Sequence, residues 1–114
     1  EPVGAASMRK ALDEERPVVI KKIDTIADGL APIMAGELTY EHAFSLMDDV
    51  VTVSDDAIRE ATSLLVSQQK LIVEFSGAAA TAALLSKAVE AEDQRVAVVI
   101  SGGNLDPTLL AGMA

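Results

Sequence analysis

An α/β fold, a partial doubly wound parallel sheet with flanking helices, is what this sequence predicts, and three observations predict it. Residues 50–53 and 96–100 are short runs rich in β-branched residues, the pattern of strands buried on both faces of a parallel sheet. Each run leads into residues that open a helix: Ser54-Asp55-Asp56 after the first, and Gly102-Gly103 followed by Asp106-Pro107 after the second. Between the runs, apolar residues recur at helical spacing. With 50% of its 114 residues apolar and 24% charged, the chain suits one compact domain, 1–114, with a small core.

The elements follow in order. Met8, Ala11 and Leu12 place a helix over residues 5–14, with Pro17 as its stop. Residues 18–20 form a short extended run, and Gly29, Pro32 and Gly36 break residues 21–36 into loop with one helical turn at most. Thr39 is placed to cap a short helix through Glu41, Ala43, Phe44 and Met47. Ser54 caps a longer helix, 55–69, whose acidic first turn suits the helix dipole and whose Ile58, Ala61, Leu64 and Leu65 share one face. Residues 71–73 read as extended or as a helix end, and an alanine-rich helix runs from Ser76 to about Ala91. Glu92 to Arg95 make a turn, and Pro107 sits at the first position of a final short helix.

Such a frame is short of strands. A parallel strand needs neighbours on both sides and helices over both faces, so two or three strands make a poor sheet. The missing strands are expected from a longer parent, a second polypeptide or self-association. The chain also opens on Glu1-Pro2 without an initiator methionine, which leads us to expect sequence upstream.

Composition removes several function classes. A net charge of −9, with lysines scattered rather than gathered in a stripe, argues against a nucleic-acid partner. No apolar run approaches the roughly 20 residues that span a bilayer, and the N-terminus has no signal-peptide pattern. The absence of cysteine excludes thiol nucleophiles and thiolate metal sites, and makes a cytoplasmic location the default. His42 is the only histidine, so neither a Ser-His-Asp triad nor a histidine metal cluster can be built. Asp48-Asp49 and Asp55-Asp56 flank a strand and open a helix, which explains them structurally.

In doubly wound sheets, ligands gather beyond the carboxyl ends of strands. Ser101-Gly102-Gly103-Asn104 stands at such an end, with glycines that allow close approach to a flat ring and a hydroxyl to hydrogen-bond it. Taken alone, such a run is more often only a turn, with Ser101 as a strand-end cap.

Six ordered blocks widen this reading: Glu1-Pro2-Val3-Gly4-Ala5-Ala6-Ser7-Met8, residues 25–31, Gly36-Glu37-Leu38-Thr39-Tyr40, residues 48–54, residues 74–79 and residues 101–106. In this order they resemble the C-terminal half of the pyridoxal-phosphate-dependent serine/threonine dehydratases, fold type II enzymes of the tryptophan-synthase-β kind. The resemblance implies a portion of the large cofactor domain of an ammonia-lyase of amino-acid metabolism, including isoleucine biosynthesis, that acts on a small amino-acid substrate. It further implies that Ser101 partners the pyridine nitrogen of the cofactor. A neutral partner there leaves that nitrogen largely unprotonated and favours β-elimination. Gly102 belongs to the same turn, Gly29 with Asp28 to a loop beside the ring and substrate, and Glu74 to the pyridine edge.

Relatives that hold a divalent cation would place it, by the same resemblance, at Glu1, the Ala5 carbonyl and position 7. Position 7 is Ser7, a poorer ligand for a hard cation than a carboxylate. Ala35 and Phe75 stand where relatives usually carry proline, and Phe75 is expected to press on the ring end of the pocket.

Other parts implied by the family are missing. None of Lys10, Lys21, Lys22, Lys70 and Lys87 has the context of the Schiff-base lysine, and Gly102-Gly103 is the only glycine pair, so no glycine-rich turn cradles the cofactor phosphate. The small domain that closes over the substrate is absent too. The expectation is therefore a fragment of a dehydratase that binds no pyridoxal phosphate tightly by itself. Its alternative is an interaction module that completes its sheet with a missing N-terminal half or with itself. A third reading is a small acidic ligand-binding module that uses Ser101 or Gly29.

Overall fold

The computed structural model describes residues 1–110; residues 111–114, the end of the expected 1–114 domain, lie outside the described residues. Among the described residues there are five helices, α1 Ser7–Asp13, α2 Glu37–Leu46, α3 Asp55–Ser67, α4 Phe75–Leu85 and α5 Pro107–Leu110, with single 3₁₀ turns at Val3–Ala5 and Asp28–Leu30.

The core is the packing of α3 on α4. One face of α3 supplies Ile58, Ala61, Thr62 and Leu65, all buried; the periodicity predicts three of them, whereas Leu64, expected on that face, is only half-buried and Thr62 was not expected there. Its N-cap is Ser54, whose hydroxyl accepts the Ala57 N–H at 3.2 Å, and Asp55 and Asp56 occupy its first turn. Helix α4 is apolar nearly all round, and Phe75, Gly77, Ala78, Ala79, Thr81, Ala82 and Ala83 are buried. A helix with that composition must be covered on most sides. Val53, Val73 and Ala27 close the same cluster, joining three loops to the helix pair.

Helix α4 ends sooner than the sequence suggests, at Leu85 rather than near Ala91. A Schellman turn stops it: Lys87 adopts φ 58°, its N–H bonds the Leu84 carbonyl, and the Ala88 N–H bonds Ala83. The same device ends α1, where Glu15 has φ 53° and Arg16 bonds back to Ala11. Neither stop contains a glycine, so neither is visible as a glycine signal. Helix α2 starts at Glu37 with Gly36 as its N-cap, not at Thr39, because the Gly36 carbonyl already accepts the Tyr40 N–H at 2.8 Å. Helix α4 likewise starts one residue early, with Glu74 as N-cap.

Extended pairing is sparse. Pro2 and Val53 form a parallel bridge, with the Val3 N–H on the Val53 carbonyl and the Val53 N–H on the Glu1 carbonyl, each at 2.9 Å. Among the described residues no longer strand forms. Residues 96–100, expected as a buried strand, are a chain with Val99 76% exposed. Strand assignment and burial both require a neighbour, and the molecule is a slab only 19 Å thick in its shortest dimension. That admits about two layers at the ~10 Å spacing of packed elements, not the three of a covered parallel sheet. Residues 96–99 line a groove with Val51, Val53, Ala79 and Ala83. No helix among the described residues is long and apolar enough to cross a membrane.

Two outcomes follow for stability. Lys87→Gly removes a left-handed side-chain penalty of about 1 kcal/mol and should raise the thermal midpoint by a few degrees. The Asp106 carboxyl is held below the usual carboxylate range because it accepts the backbone N–H of Thr108, and its hydroxyl, at the start of α5. Its contribution is therefore present above the ordinary aspartate range and lost as pH falls through the lowered value. The protection of the Thr108 amide, its intrinsic exchange rate relative to the observed rate at each pH, should fall on acidification in the wild type and be low throughout in Asp106→Ala.

Candidate functional site

The first turn of α4 gathers four residues from three distant parts of the chain. Glu74 caps that turn, and its own N–H donates to the Gly102 carbonyl at 3.1 Å, which brings residues 101–103 alongside. Gly102 has φ +73°, and a Cβ built there would stand 1.9 Å from Glu74 Oε1, so the Glu74 carboxylate lies directly over the glycine. Only glycine combines that backbone with that covering. Gly77, one turn into α4, meets the Ser101 carbonyl so closely that a Cβ would fall 1.5 Å from the oxygen. Residues 101–102 thus rest on bare helix backbone.

Gly29 arrives from the other side. Its N–H donates to Ser76 Oγ at 2.8 Å and to its neighbour Asp28 Oδ1 at 2.9 Å, and a Cβ there would come 4.0 Å from Glu74 Oε1. The loop that carries it is tied to α3. Thr25 Oγ1 donates to Asp55 Oδ1 at 2.7 Å, the Ile26 N–H donates to Asp55 Oδ2 at 2.9 Å, and Thr25 Oγ1 accepts the Ala27 N–H at 3.1 Å. Ala27 is fully buried, which anchors the loop in the core.

Ser101, Gly102, Gly29 and Glu74, all expected in one site, are therefore adjacent around the start of α4. Ser101, Gly102 and Gly29 are exposed, and Glu74 and Ser76 half-buried. Ser76, Gly77 and Asp55 belong to the same construction and were not singled out by sequence as site residues. The one signal for Gly77 is a glycine inside an alanine-rich helix, where propensity alone disfavours it. Phe75 does not crowd the site as expected: its ring is buried in the core, with the Arg59 guanidinium 5.7 Å from its centroid.

No lysine joins this cluster. Lys22 pairs with Asp24 at 2.6 Å, Lys70 donates to the Ser67 carbonyl, and Lys10, Lys21 and Lys87 are exposed. Among the described residues the cluster thus brings together a serine, a carboxylate and closely approaching glycine backbone.

The Glu1 corner is built differently. Both Glu1 carboxylate oxygens accept backbone N–H groups at the start of α1, Met8 at 2.9 Å and Arg9 at 2.7 Å. Ala5 and Ser7 are buried, and Ser7 Oγ has no hydrogen-bond partner. A hard divalent cation there would have to displace two good hydrogen bonds and accept a neutral hydroxyl in place of a second carboxylate, so these residues do not fit one. Among the described residues no group of three histidine, cysteine, aspartate or glutamate side chains could hold a metal.

Comparison with known proteins places this geometry. Residues 1–102 match the family model described as pyridoxal-phosphate dependent enzyme. The L-threonine ammonia-lyase of Thermotoga maritima is 36% identical over 91% of this chain and 26% of its own length. The catabolic L-threonine dehydratase of Escherichia coli is 42% identical over 72% of this chain and likewise 26% of its own. Maize serine racemase superposes with a TM-score of 0.87 at 34% identity, covering 98% of this chain and 36% of that one. The chain thus spans about a quarter of the length of these curated relatives, and its fold is of the kind that fold type II pyridoxal-phosphate enzymes share.

Gly77→Ala tests the close approach. The clash is with backbone, which no rotamer relieves, so the variant should lose at least 1–3 kcal/mol, roughly the cost of overpacking, and expose the amides of Gly102 and Gly103 to faster exchange. Chemical denaturation with amide exchange reads both.

Proposed function

Because the chain belongs to the pyridoxal-phosphate-dependent enzyme family, we propose that it is the C-terminal part of the cofactor-binding domain of a threonine/serine dehydratase, and that it supplies contacts to the edge of the cofactor ring. The observation that carries this reading is the convergence of Ser101, Gly102, Gly29 and Glu74 at the first turn of α4. The relatives lend the reaction class: two are named for threonine breakdown, and the superposed structure is a serine racemase.

When bound, the cofactor would supply an electron sink that lets an amino acid lose its α-proton and β-hydroxyl together as water, the resulting enamine then being hydrolysed by solvent water to a 2-oxo acid and ammonia. Ser101 presents a neutral hydroxyl to the ring nitrogen, which keeps that nitrogen mostly unprotonated and suits elimination. Gly102 and Gly29, having no side chains, would let backbone approach the ring closely. Glu74 orients the loop of residues 101–103 by packing over Gly102 and bonding its carbonyl through the backbone N–H.

The lysine, the phosphate cradle and the closing domain come, in this reading, from the rest of a longer protein, which also completes a doubly wound parallel sheet on residues 50–53 and 96–100. The absence of cysteine suits a cytoplasmic setting. Alone, the chain holds the cofactor weakly and has no nucleophile.

A second reading has one observation of its own. Val96, Val99 and Ile100 are 49%, 76% and 40% exposed along an extended segment, an edge suited to pairing with a second copy. Sedimentation over a concentration series separates the two, since a monomer at high concentration excludes self-association.

The test of the main reading is an assay of the full-length product that contains this segment. It should release 2-oxo acid from L-threonine or L-serine when loaded with pyridoxal phosphate. Ser101→Ala should keep the bound-cofactor absorbance and lower turnover about tenfold, the worth of one well-placed hydrogen bond. Unchanged turnover removes the role given to Ser101, and no product from either amino acid removes the reaction.

A further inference from the structure

We propose that Asp55 is a positioning residue for the ring-edge site: its carboxylate clamps the loop of residues 25–29 from the first turn of α3 and so sets where Gly29 stands against Ser76 and Glu74. The proposal rests on the reading of that site as a cofactor-ring contact and assigns Asp55 a task within it.

A helix-opening aspartate ordinarily needs no loop partner. Its charge is already favourable beside the helix N-terminus, and here Ser54 provides the cap. Asp56, one residue on, is exposed and has just that ordinary role. Asp55 is half-buried, and each of its oxygens takes a different donor from one loop: the Thr25 hydroxyl at 2.7 Å and the Ile26 N–H at 2.9 Å. A charged acceptor makes these the stronger class of hydrogen bond, and using both oxygens fixes direction as well as distance.

The Thr25 hydroxyl passes the constraint along. Having donated its proton to Asp55, it accepts the Ala27 N–H, a side-chain turn that sets the backbone of the next two residues. Ala27 is fully buried, and its carbonyl accepts the Leu30 N–H to close the 3₁₀ turn Asp28–Leu30. Gly29 lies within that turn and bonds Ser76 Oγ at 2.8 Å. Hydrogen bonds from Asp55 to Ala27, together with the backbone of the 3₁₀ turn that Ala27 opens, thus join α3 to the exposed Gly29, which itself bonds Ser76 at the start of α4. Loops commonly move more than the elements they join, and this one is tied at both ends, as a precise ring contact requires.

The experiment uses the full-length product. Asp55→Asn keeps the shape but turns an amide N–H₂ toward one of the two donors. Thr25→Val removes the hydroxyl relay, Thr25→Ser restores it, and Asp56→Asn removes an equal charge from the same turn without touching the loop. Three readouts are taken: amide exchange over residues 25–30 without cofactor, the circular dichroism of bound pyridoxal phosphate, and kcat separately from KM.

Asp55→Asn and Thr25→Val should quicken exchange at residues 26–30, alter the cofactor dichroism and lower kcat on the order of ten- to a hundredfold, with Thr25→Ser and Asp56→Asn close to wild type. Should Asp55→Asn fail to fold, the Thr25→Val and Thr25→Ser pair decides the matter by itself. Faster exchange with unchanged dichroism and kcat overturns the positioning role and leaves the cofactor reading standing. A wild-type protein that binds no pyridoxal phosphate overturns the cofactor reading, and the positioning role with it.

Discussion

The fit of α3 against the small-residue surface of α4 is the interaction on which the other features depend. Alanines at 78, 79, 82 and 83 give up little side-chain entropy and let Ile58, Ala61 and Leu65 approach closely. Burial of that seam fixes the first turn of α4 in space, and the first turn is also the floor of the candidate site. Gly77 serves both purposes, buried on the helix and bare enough to carry the Ser101 carbonyl. The stability of the core and the geometry of the site therefore share atoms.

Two glycines do different work around that turn. Gly77 is needed for lack of a side chain, since the loop passes over its Cα; Gly102 is needed for its φ as well, with Glu74 packed above it. Glu74 links the two, capping α4 with its backbone and covering the loop with its side chain. A carboxylate in that place is part of the scaffold and of the candidate site at once.

The apolar groove between α4 and residues 96–99 is the converse case, a surface that the fold prepares and does not cover. Val99 stands 76% exposed along it. The relatives are roughly three to four times as long as the stretch they share with this chain, and the proposed remainder of the sheet would cover that surface.

Local signals account for much that was legible in the amino-acid order. The cap at Ser54, the apolar face of Ile58, Ala61 and Leu65, the loop character of residues 21–36, and Pro107 opening α5 all depend on neighbours within a few positions, and all are found. The ordered blocks that carry the family resemblance are likewise a property of sequence, and the family match bears them out. Helix ends were less legible: the stop at Lys87 uses a left-handed non-glycine residue, whose cost the surrounding turn absorbs. Burial of residues 96–100 could not be read, because β-branched composition states a preference for being covered and not the presence of a cover. Asp55 marks the same boundary. Its place in the sequence accounts for a helix start, and only folding brings Thr25 and Ile26, thirty and twenty-nine positions away, onto its two oxygens. What neighbours decide was in the sequence; what distant segments decide by meeting was left to the tertiary structure, because a hydrogen bond needs its partner within about 3 Å and no local pattern records that distance.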